Sequence, residues 1–438
     1  MCADATTPRT GFCRMIGCMG HVTGTASTSY TPPASVAVVG AGMVGLATAW
    51  FLQEQGVRVT VLDRRGVCAG SSLGNAGWLT PSIATPLPEP AVLRYGLRAV
   101  LSPSSPVYVP PAADPRLLSF LVRFARNSTM RRWREAMSAL VPINRLALDS
   151  YDRLAAGGVD APTHEAKSFL AAYRSAGERT ALLDEIEHIR RAGQPVDYEL
   201  LDGDELREVE PSLSDAVSSG IRLYNQRFIH PGEFVTALAA AVRARGGLIR
   251  ESAPVDDLTD TGRDVVLGGD RFDAVVLATG SWLSRLARRF GVQTLVQAGR
   301  GYSFSVDIET MPHGPVYFAA QRVACTPLGD RLRVAGMMEF RGPDAPLDPR
   351  RIGAIVDAAR PLLRGVNLDQ RHDEWVGARP CTPDGLPLIG RTRSPRVFVA
   401  GGHGMWGITL GPATGRLLAQ DIATGVVPPE LAPFDPLR

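Results

Sequence analysis

The chain has 438 residues, 45% of them hydrophobic and 21% charged, which is an ordinary composition for globular domains. This length allows two domains, or one split domain with a large insert. The formal net charge is +3 and no basic stripe with interleaved aromatic residues occurs, so nucleic acid is not an expected partner.

Residues 1–34 are rich in threonine, serine, glycine and alanine without periodicity, so a disordered leader is predicted. No uninterrupted apolar run follows Arg9 and Arg14, which argues against a signal peptide. Met15 and Met19 are alternative starts, so the sequence leaves open whether residues 1–34 are translated. The six cysteines form neither a C-x-x-C pair nor a zinc spacing. We therefore expect no metal and a reduced compartment.

A glycine turn follows the first apolar run. Gly40, Gly42 and Gly45 have the spacing G-x-G-x-x-G, and a helical pattern begins at once. Gly40 is expected to make the tight turn, Gly42 to let backbone approach a pyrophosphate, and Gly45 to let the helix pack close to the strand. The amides of the first helical residues, Met43 and Val44, then point at the phosphates.

Asp63 ends the next apolar strand, about 20 residues further on, where a ribose-binding carboxylate belongs. This strand–helix–strand context predicts a dinucleotide-binding unit over residues 35–65. A glycine turn with a surface aspartate is the alternative. Thr279 and Gly280 end a later apolar strand and form a second turn at which backbone can pass a dinucleotide.

The segment after Cys68 is uncharged and consists largely of small residues. Its notable members are Ser71, Ser72, Asn75, Ala76, Gly77 and the following Trp78. A nicotinamide enzyme would usually continue into a helix here. Small hydrogen-bonding residues suit a chain that passes close to a flat ring, and a flexible loop is the alternative.

These motifs together resemble the D-amino-acid dehydrogenase branch of the FAD-dependent amino-acid oxidoreductases, the superfamily of D-amino-acid oxidase and glycine oxidase. The pattern S-S-x-x-N-A-G at 71–77 is followed, in that family's order, by the segments 300–305, 331–339, 375–390 and 401–407. The resemblance covers roughly residues 35–425, and its last two segments are the most specific.

The resemblance implies an α/β fold, with a discontinuous Rossmann-like FAD-binding domain and an α+β substrate domain that has an antiparallel sheet. The FAD-binding domain is expected from residues 35–80, 200–295 and 373–430, and the substrate domain from residues 81–199 and 296–372. FAD is expected to be bound non-covalently.

The resemblance also implies further contacts with FAD. The residues at these positions are Arg64, Val255, Gly377, Gly402, Gly404, Met405, Gly407, Ile408 and Thr409. A closing helix is predicted to start near Pro412, and its dipole would stabilise negative charge on the reduced ring. His230 is predicted to be a helix cap rather than a catalyst.

The implied reaction is oxidative deamination of a D-amino acid to a 2-oxo acid and ammonia, by hydride transfer to flavin N5. Arg379 occupies the family's carboxylate-binding position, and a planar bidentate cation suits that group. Tyr302 matches a tyrosine that donates to the same carboxylate, with a packed strand aromatic as the alternative. His403 is a candidate flavin or substrate contact, or a structural turn residue. No strong general base is required, because the substrate amine can lose its proton to solvent.

Several alternatives stay open. Flavin-dependent oxidation of a secondary amino acid (hydroxyproline, sarcosine or similar) changes only the substrate, and the chain can also be one subunit of a multi-subunit dehydrogenase. A plain NAD(P) dehydrogenase does not require segments 71–77 and 401–407. Covalent attachment of the flavin through Cys381 is a further alternative, although the spacing of this cysteine poorly matches that in sarcosine-oxidising relatives. Lys167 is the single lysine and lies in the wrong region to assist oxygen as it does in sarcosine-oxidising relatives.

A basic amphipathic pattern occupies residues 116–134. The apolar positions that can share one helix face are Leu117, Leu118, Leu121, Val122 and Phe124. The pattern predicts an ordinary helix over the substrate domain, or a face that rests on an anionic membrane. We expect a cytoplasmic protein, with peripheral binding to the inner face of the cell membrane as the alternative. Its implied partners are an amino-acid substrate and an electron acceptor, either the respiratory quinone pool or oxygen; the oligomeric state is undetermined.

Overall fold

The computed structural model describes residues 30–90, 104–111 and 114–438. The predicted leader therefore lies outside the described residues, apart from residues 30–34. In the part of the chain that the structure describes, no helix has the length and apolar character needed to cross a membrane. The same residues contain no cluster of three or more potential metal ligands, and no metal site was predicted.

The elements alternate between strands and helices. In the first part of the chain they are β1 (Ser35–Val39), α1 (Met43–Glu54), β2 (Arg58–Leu62), β3 (Trp78–Leu79), β4 (Val107–Tyr108), α2 (Pro115–Asn127), α3 (Met130–Ala156), β5 (His164–Glu165), β6 (Phe169–Tyr173), α4 (Thr180–Arg191), β7 (Tyr198–Asp202), α5 (Gly203–Val209), β8 (Ser219–Leu223) and β9 (Arg227–Phe228). The remainder are α6 (Pro231–Ala244), β10 (Leu248–Arg250), β11 (Thr259–Asp260), β12 (Val265–Leu267), β13 (Asp270–Phe272), β14 (Ala274–Leu277), α7 (Leu283–Ala287), β15 (Gln297–Ile308), β16 (Val316–Phe318), β17 (Val323–Leu328), β18 (Arg331–Phe340), α8 (Pro349–Ala359), β19 (Val366–Cys381), β20 (Leu388–Arg391), β21 (Val397–Gly401) and α9 (Gly407–Thr424).

The first sheet has six strands in the order β10-β2-β1-β14-β21-β20. All neighbours pair in parallel except β20, which is antiparallel at the edge. Its central strands β1 and β14 are apolar apart from Ser35, because both faces of the sheet are covered. Val36 and Val38 of β1 pack with α1, α6 and α9, whereas Ala37 and Val39 face the meander β11–β13 and α7.

The closing helix α9 begins at Gly407, so the predicted start near Pro412 is wrong by one and a half turns. Pro412 lies inside the helix and has no N–H to give to the carbonyl of Ile408, four residues earlier. The hydroxyl of Tyr151, from α3, donates to that carbonyl instead at 2.7 Å. The helix therefore continues through the proline without an unpaired carbonyl at this position.

The second sheet follows the order β19-β15-β18-β17-β16-β6-β8-β7, with β4 beside β18. Its pairs are antiparallel except β16 with β6 and β18 with β4. A Rossmann-like sheet together with a largely antiparallel sheet confirms the predicted fold class. Strands β7 and β8 pair with each other beside β6, so residues 200–202 and β8, which lie within the predicted FAD-binding segment 200–295, belong to this sheet.

Candidate functional site

A cavity of about 380 Å³ opens where the parallel strands end. Val39 and Leu62, the last residues of β1 and β2, line it together with Ala278 after β14 and Ala400 in β21. The carboxyl edge of an open parallel sheet is the usual place for a ligand. The cavity is therefore the candidate functional site.

The glycine turn brings backbone to the cavity wall. Gly40 has φ +116°, and a Cβ there would lie 2.4 Å from the carbonyl oxygen of Ala278. A Cβ on Gly45 would lie 1.9 Å from the carbonyl oxygen of Gly40. Both positions therefore exclude a side chain, as the motif predicts. A Cβ on Gly42 would meet only the Oγ of Ser72, at 3.3 Å.

Two helices begin at this wall, and neither is capped by the side chain of its own N-cap residue. Gly42 precedes α1 and Trp406 precedes α9, and neither makes a capping hydrogen bond with its side chain. The first amides of a helix have no intrahelical acceptor and carry the positive end of the helix dipole. The Oγ of Ser72 accepts from the Met43 amide at 3.2 Å. This end of the cavity can hold an anion such as a diphosphate.

Asp63 is held in place by backbone donors. One carboxylate oxygen accepts from the amide of Ala41 at 2.9 Å, and the other from the amides of Arg65 and Gly66 at 2.8 and 3.0 Å. A carboxylate has about four lone-pair sites, so acceptor capacity remains for a ligand hydroxyl. Asp63 lines the cavity beside Arg64.

Arg379 reaches the cavity from β19. Its Nη1 donates to the carbonyl of Met337 at 2.7 Å, and its guanidinium lies over Gly301, where a Cβ would come within 2.2 Å of Nη2. Burial lowers its pKa from the usual arginine value. Among residues 30–90, 104–111 and 114–438 no carboxylate forms an ion pair with it. A half-buried guanidinium without a counter-ion is suited to an anionic ligand.

His403 also lines the cavity. It is 4% exposed, and its Nε2 lies 2.9 Å from the Oγ1 of Thr414. Burial lowers its pKa to about 4, because the charged imidazolium is poorly solvated there. The ring is therefore neutral at physiological pH and is a weak base.

Tyr302 lies away from the cavity wall. It is 1% exposed, and its hydroxyl donates to Oε2 of Glu339 at 2.5 Å. The same oxygen accepts from Nη1 of Arg300 at 3.0 Å. Strand alternation explains the placement, because Gly301 and Tyr302 face opposite sides of the sheet. The structure thus brings Arg379 and His403 together and leaves Tyr302 in a buried cluster behind them.

Most of the predicted cofactor contacts line the cavity. These are Gly40, Gly42, Met43, Val44, Gly45, Asp63, Arg64, Ser71, Ser72, Asn75, Val255, Thr279, Gly280, Gly404, Met405, Gly407 and Ile408. The cavity wall as described does not include Ala76, Gly77, Trp78, Gly377, Gly402 or Thr409.

Structural roles account for several of these outlying residues. A Cβ on Gly77 would lie 2.1 Å from the carbonyl oxygen of Ile229, and one on Gly377 would lie 1.6 Å from the ring of Trp375. The indole of Trp78 donates to the Oγ1 of Thr326 at 2.8 Å and packs away from the cavity.

Sequence reasoning missed the residues that follow the Ala-Thr-Gly turn. Trp282 and Arg285 line the cavity, and both bind Asp344, at 3.0 Å from the indole and 3.2 Å from the guanidinium. The guanidinium carbon of Arg64 lies 3.7 Å from the centre of a Trp282 ring. Their position directly after a strand of the parallel sheet was the available signal.

Three other residues singled out in the sequence are His230, Cys381 and Lys167. His230 caps α6, accepting from the amide of Glu233 at 3.2 Å, which confirms its structural role. Cys381 is 1% exposed, burial raises its thiol pKa to about 12, and it is absent from the described cavity wall. Lys167 lines a separate surface recess with Arg222.

Residues 35–421 match the protein family described as DAO, FAD dependent oxidoreductase. The chain belongs to this family. It is similar to the D-amino acid dehydrogenases of Cereibacter sphaeroides (32% identity, covering 90% of this chain and 92% of the relative) and Phenylobacterium zucineum (33% identity, covering 88% and 93%). Among solved structures it is similar to glycine oxidase from Geobacillus kaustophilus, with a TM-score of 0.68, 25% identity, and coverage of 93% of this chain and 99% of that one.

Membership of this family confirms the predicted FAD cofactor and the prediction of an amino-acid oxidoreductase. The site fits this cofactor on its own chemistry. The glycine positions form a cradle that side chains would fill, and the N-termini of α1 and α9, whose N-cap residues make no side-chain hydrogen bond, face the place for the diphosphate.

Proposed function

We propose that this chain catalyses oxidative deamination of D-amino acids to 2-oxo acids and ammonia, with FAD as its redox group. The observation that carries the proposal is the guanidinium of Arg379, which meets the cavity without a carboxylate partner among the described residues. A planar fork of donors binds a carboxylate at two points and orients the rest of the substrate. The names of the relatives at 32–33% identity support the D-configuration.

The remaining predicted residues divide between the two ends of the cavity. The turn Gly40–Gly45 and the start of α9 would hold the diphosphate and the ring, and Asp63 would accept from the ribose hydroxyls. Bound FAD supplies the acceptor for the hydride that leaves the substrate. Arg379 binds the carboxylate, and the neutral ring of His403 borders the site without taking a strong base's role. Solvent receives the proton of the substrate amine, and water then hydrolyses the resulting imino acid to the 2-oxo acid and ammonia.

The test is an anaerobic titration of the purified, FAD-loaded chain with D- and L-amino acids and with N-methyl and proline-like amino acids. We expect D-amino acids to bleach the flavin band. We also expect 2-oxo acid and ammonia to accumulate once an electron acceptor is added. If only the N-methyl and proline-like amino acids bleach the flavin, the substrates are secondary amino acids rather than D-amino acids with a primary amine. Bleaching by L-enantiomers alone would refute the stereochemistry.

The electron acceptor and its location form a second part of the proposal. In α2, Leu117, Phe120 and Phe124 are buried, whereas Leu118 and Val122 are 63% and 44% exposed one turn apart. Arg116, Arg123 and Arg126 are exposed beside them. An apolar ridge flanked by arginine suits an anionic membrane surface, where a quinone would be the acceptor. Sedimentation with anionic and neutral vesicles tests this, with L118D as the disrupting variant; equal sedimentation of both proteins would refute it.

A further inference from the structure

Strand β18 contains a residue whose backbone conformation is unusual in a strand. Met337 has φ +66°, in the left-handed region, although it lies inside the strand. Methionine adopts this region at a cost that glycine does not have. Such conformations are concentrated at functional sites, where the surrounding structure maintains them. The contacts of Met337 therefore indicate what the strained backbone does.

Met337 lies in a β-bulge between β15 and β18. Two residues of β18, Met337 and Met338, lie opposite the single residue Gly301 of β15, because the register shifts at this point. On its other side β18 pairs with β17 up to Gly336 and with β4 from Met338 onward. Met337 thus has no register partner among the described residues of the neighbouring strands. Because the ladder is interrupted here, its carbonyl does not have to point at a neighbouring strand.

The carbonyl of Met337 contacts the arginine that borders the cavity. It accepts from Nη1 of Arg379 at 2.7 Å, and Sδ of Met338 lies 3.9 Å from the same nitrogen. Arg379 lines the cavity, whereas Met337 is 5% exposed and is absent from the described cavity wall. The side chain of Met337 packs in the hydrophobic core of the second sheet. Met337 therefore acts on the cavity through Arg379 and not by direct contact.

Gly301, on the other strand of the bulge, also restricts the guanidinium. A Cβ at this position would lie 2.2 Å from Nη2 and 2.3 Å from Cζ of Arg379, so the planar group lies directly against the Gly301 backbone. This backbone limits where the guanidinium plane can lie, and the Met337 carbonyl limits how the group can turn. Both restraints come from the same bulge, one from each strand.

These restraints leave part of the guanidinium available to a ligand. Nε and Nη2 of Arg379 donate to no group among residues 30–90, 104–111 and 114–438. These two nitrogens form one of the edges at which an arginine binds a carboxylate at two points. A guanidinium that is already oriented loses less side-chain freedom when the carboxylate binds.

We propose that Met337 is a positioning residue for the substrate. Its left-handed bulge aims the carbonyl at Nη1 of Arg379 and so holds the edge formed by Nε and Nη2 in place for the substrate carboxylate. This inference rests on the proposed function, because it concerns the same arginine and the same carboxylate. The backbone of Met337 orients the guanidinium, and its side chain contributes only to packing. A regular strand would direct the carbonyl along the ladder and remove this restraint.

Three substitutions separate the backbone role of Met337 from the packing of its side chain. Glycine tolerates the left-handed conformation, alanine disfavours it, and valine disfavours it most because its side chain is β-branched. Packing predicts the opposite order, because valine retains the most buried side chain and glycine retains none. Any two of the variants M337G, M337A and M337V distinguish the two roles, so the test stands even if one of them does not fold.

The measurement is the binding of propanoate to the FAD-loaded variants, followed by the change in the flavin spectrum. Propanoate is D-alanine without its amine, so it reports carboxylate binding without turnover. We expect Kd to stay within about twofold of the wild type in M337G, to be higher in M337A, and to be about tenfold higher in M337V, as loss of one charge-assisted hydrogen bond would produce. KM for D-alanine should follow the same order at unchanged FAD content. Equal Kd values, or M337V closest to the wild type, would overturn the inference.

D373V is the matched control. Asp373 also has a left-handed conformation, with φ +52°, in β19, but it is exposed and absent from the described cavity wall. D373V should leave propanoate binding unchanged, and a loss equal to that in M337V would attribute the effect to general strain in the sheet and overturn the inference. The expected order of Kd without oxidation of any D-amino acid would refute the proposed reaction alone. Oxidation of D-alanine with Kd in the order of packing would refute the role of Met337 alone.

Discussion

The two walls of the cavity are built in different ways. On the parallel-sheet side the wall consists of backbone. Gly40 and Gly45 leave no room for a side chain, and two helix N-termini present their amides. On the antiparallel-sheet side the wall includes the long side chain of Arg379, which reaches from β19 to the carbonyl of Met337 in β18. A backbone wall depends on a few local residues, whereas a side-chain wall depends on the register of distant strands.

The largest expected effect belongs to the side-chain wall. R379A should lower kcat/KM for D-amino acids by about 10²–10³-fold, because the bidentate partner of the carboxylate is lost. R379K should recover only part of this loss, because an ammonium cannot bind at two points. Steady-state kinetics with a soluble acceptor measure both, and FAD content should not change.

R371A is the matched control on the same strand, where Arg371 pairs with Glu374 at 2.8 Å outside the cavity. It should keep wild-type kinetics. A loss in R379A no larger than in R371A would show that Arg379 does not bind the substrate.

The backbone wall should respond to a single added methyl group. G45A places a Cβ against the Gly40 carbonyl, which we expect to cost about 1–3 kcal/mol of unfolding free energy and to reduce bound FAD. G353A, in α8, meets nothing within 4 Å and should be neutral or slightly stabilising. Urea unfolding and the flavin-to-protein absorbance ratio compare the two. Full FAD occupancy in G45A would contradict the close-packing argument.

A smaller effect distinguishes the two roles considered for Tyr302. Y302F removes one donor from the buried carboxylate of Glu339, so unfolding free energy should fall by about 1–2 kcal/mol. Because the hydroxyl does not line the cavity, KM should stay within about twofold. A tenfold rise in KM at unchanged stability would instead support the predicted contact with the substrate carboxylate.

The smallest effect at neutral pH concerns His403. Its native pKa of about 4 is below the usual value near 6.5, so the unfolded chain binds more protons between these values. Stability is complete above about pH 6.5 and decreases as the pH falls towards 4, by roughly 3 kcal/mol at most.

H403Q should flatten this part of the stability profile, and the wild-type kcat profile should show no histidine step near pH 6.5. Chemical unfolding at a series of pH values provides the first measurement and stopped-flow flavin reduction provides the second. A step near pH 6.5 that disappears in H403Q would mean that the ring titrates in the active form.

The backbone wall could be predicted from sequence because its determinants are local. The spacing of Gly40, Gly42 and Gly45 and the position of Asp63 after the next strand fix their arrangement within one β-α-β unit. The short segment Ser71–Asn75 follows directly, so its proximity required no long-range argument. Arg379 was placed by resemblance rather than by spacing.

The rest depends on pairings that no local pattern encodes. Tyr302 and Gly301 alternate on β15, and only the pairing with β18 and β19 shows which of them faces the cavity. Strands β7 and β8 join β6 although β7 begins more than twenty residues after β6 ends, and no local pattern encodes this pairing. Pro412 looked like a helix start because a proline favours the first turn, but a tyrosine from α3 supplies the missing donor.

Because of this hydrogen bond, the effect of a substitution at position 151 on stability depends on which residue occupies position 412. As long as Pro412 is present, Tyr151 provides the only side-chain donor to the Ile408 carbonyl among the described residues, and Y151F removes that hydrogen bond. Once P412A restores an N–H in the helix, the hydroxyl is redundant. The loss of unfolding free energy caused by Y151F should therefore be smaller in the P412A variant than in the wild type. Both residues can then be replaced at a smaller cost when Pro412 is replaced before Tyr151 than in the reverse order.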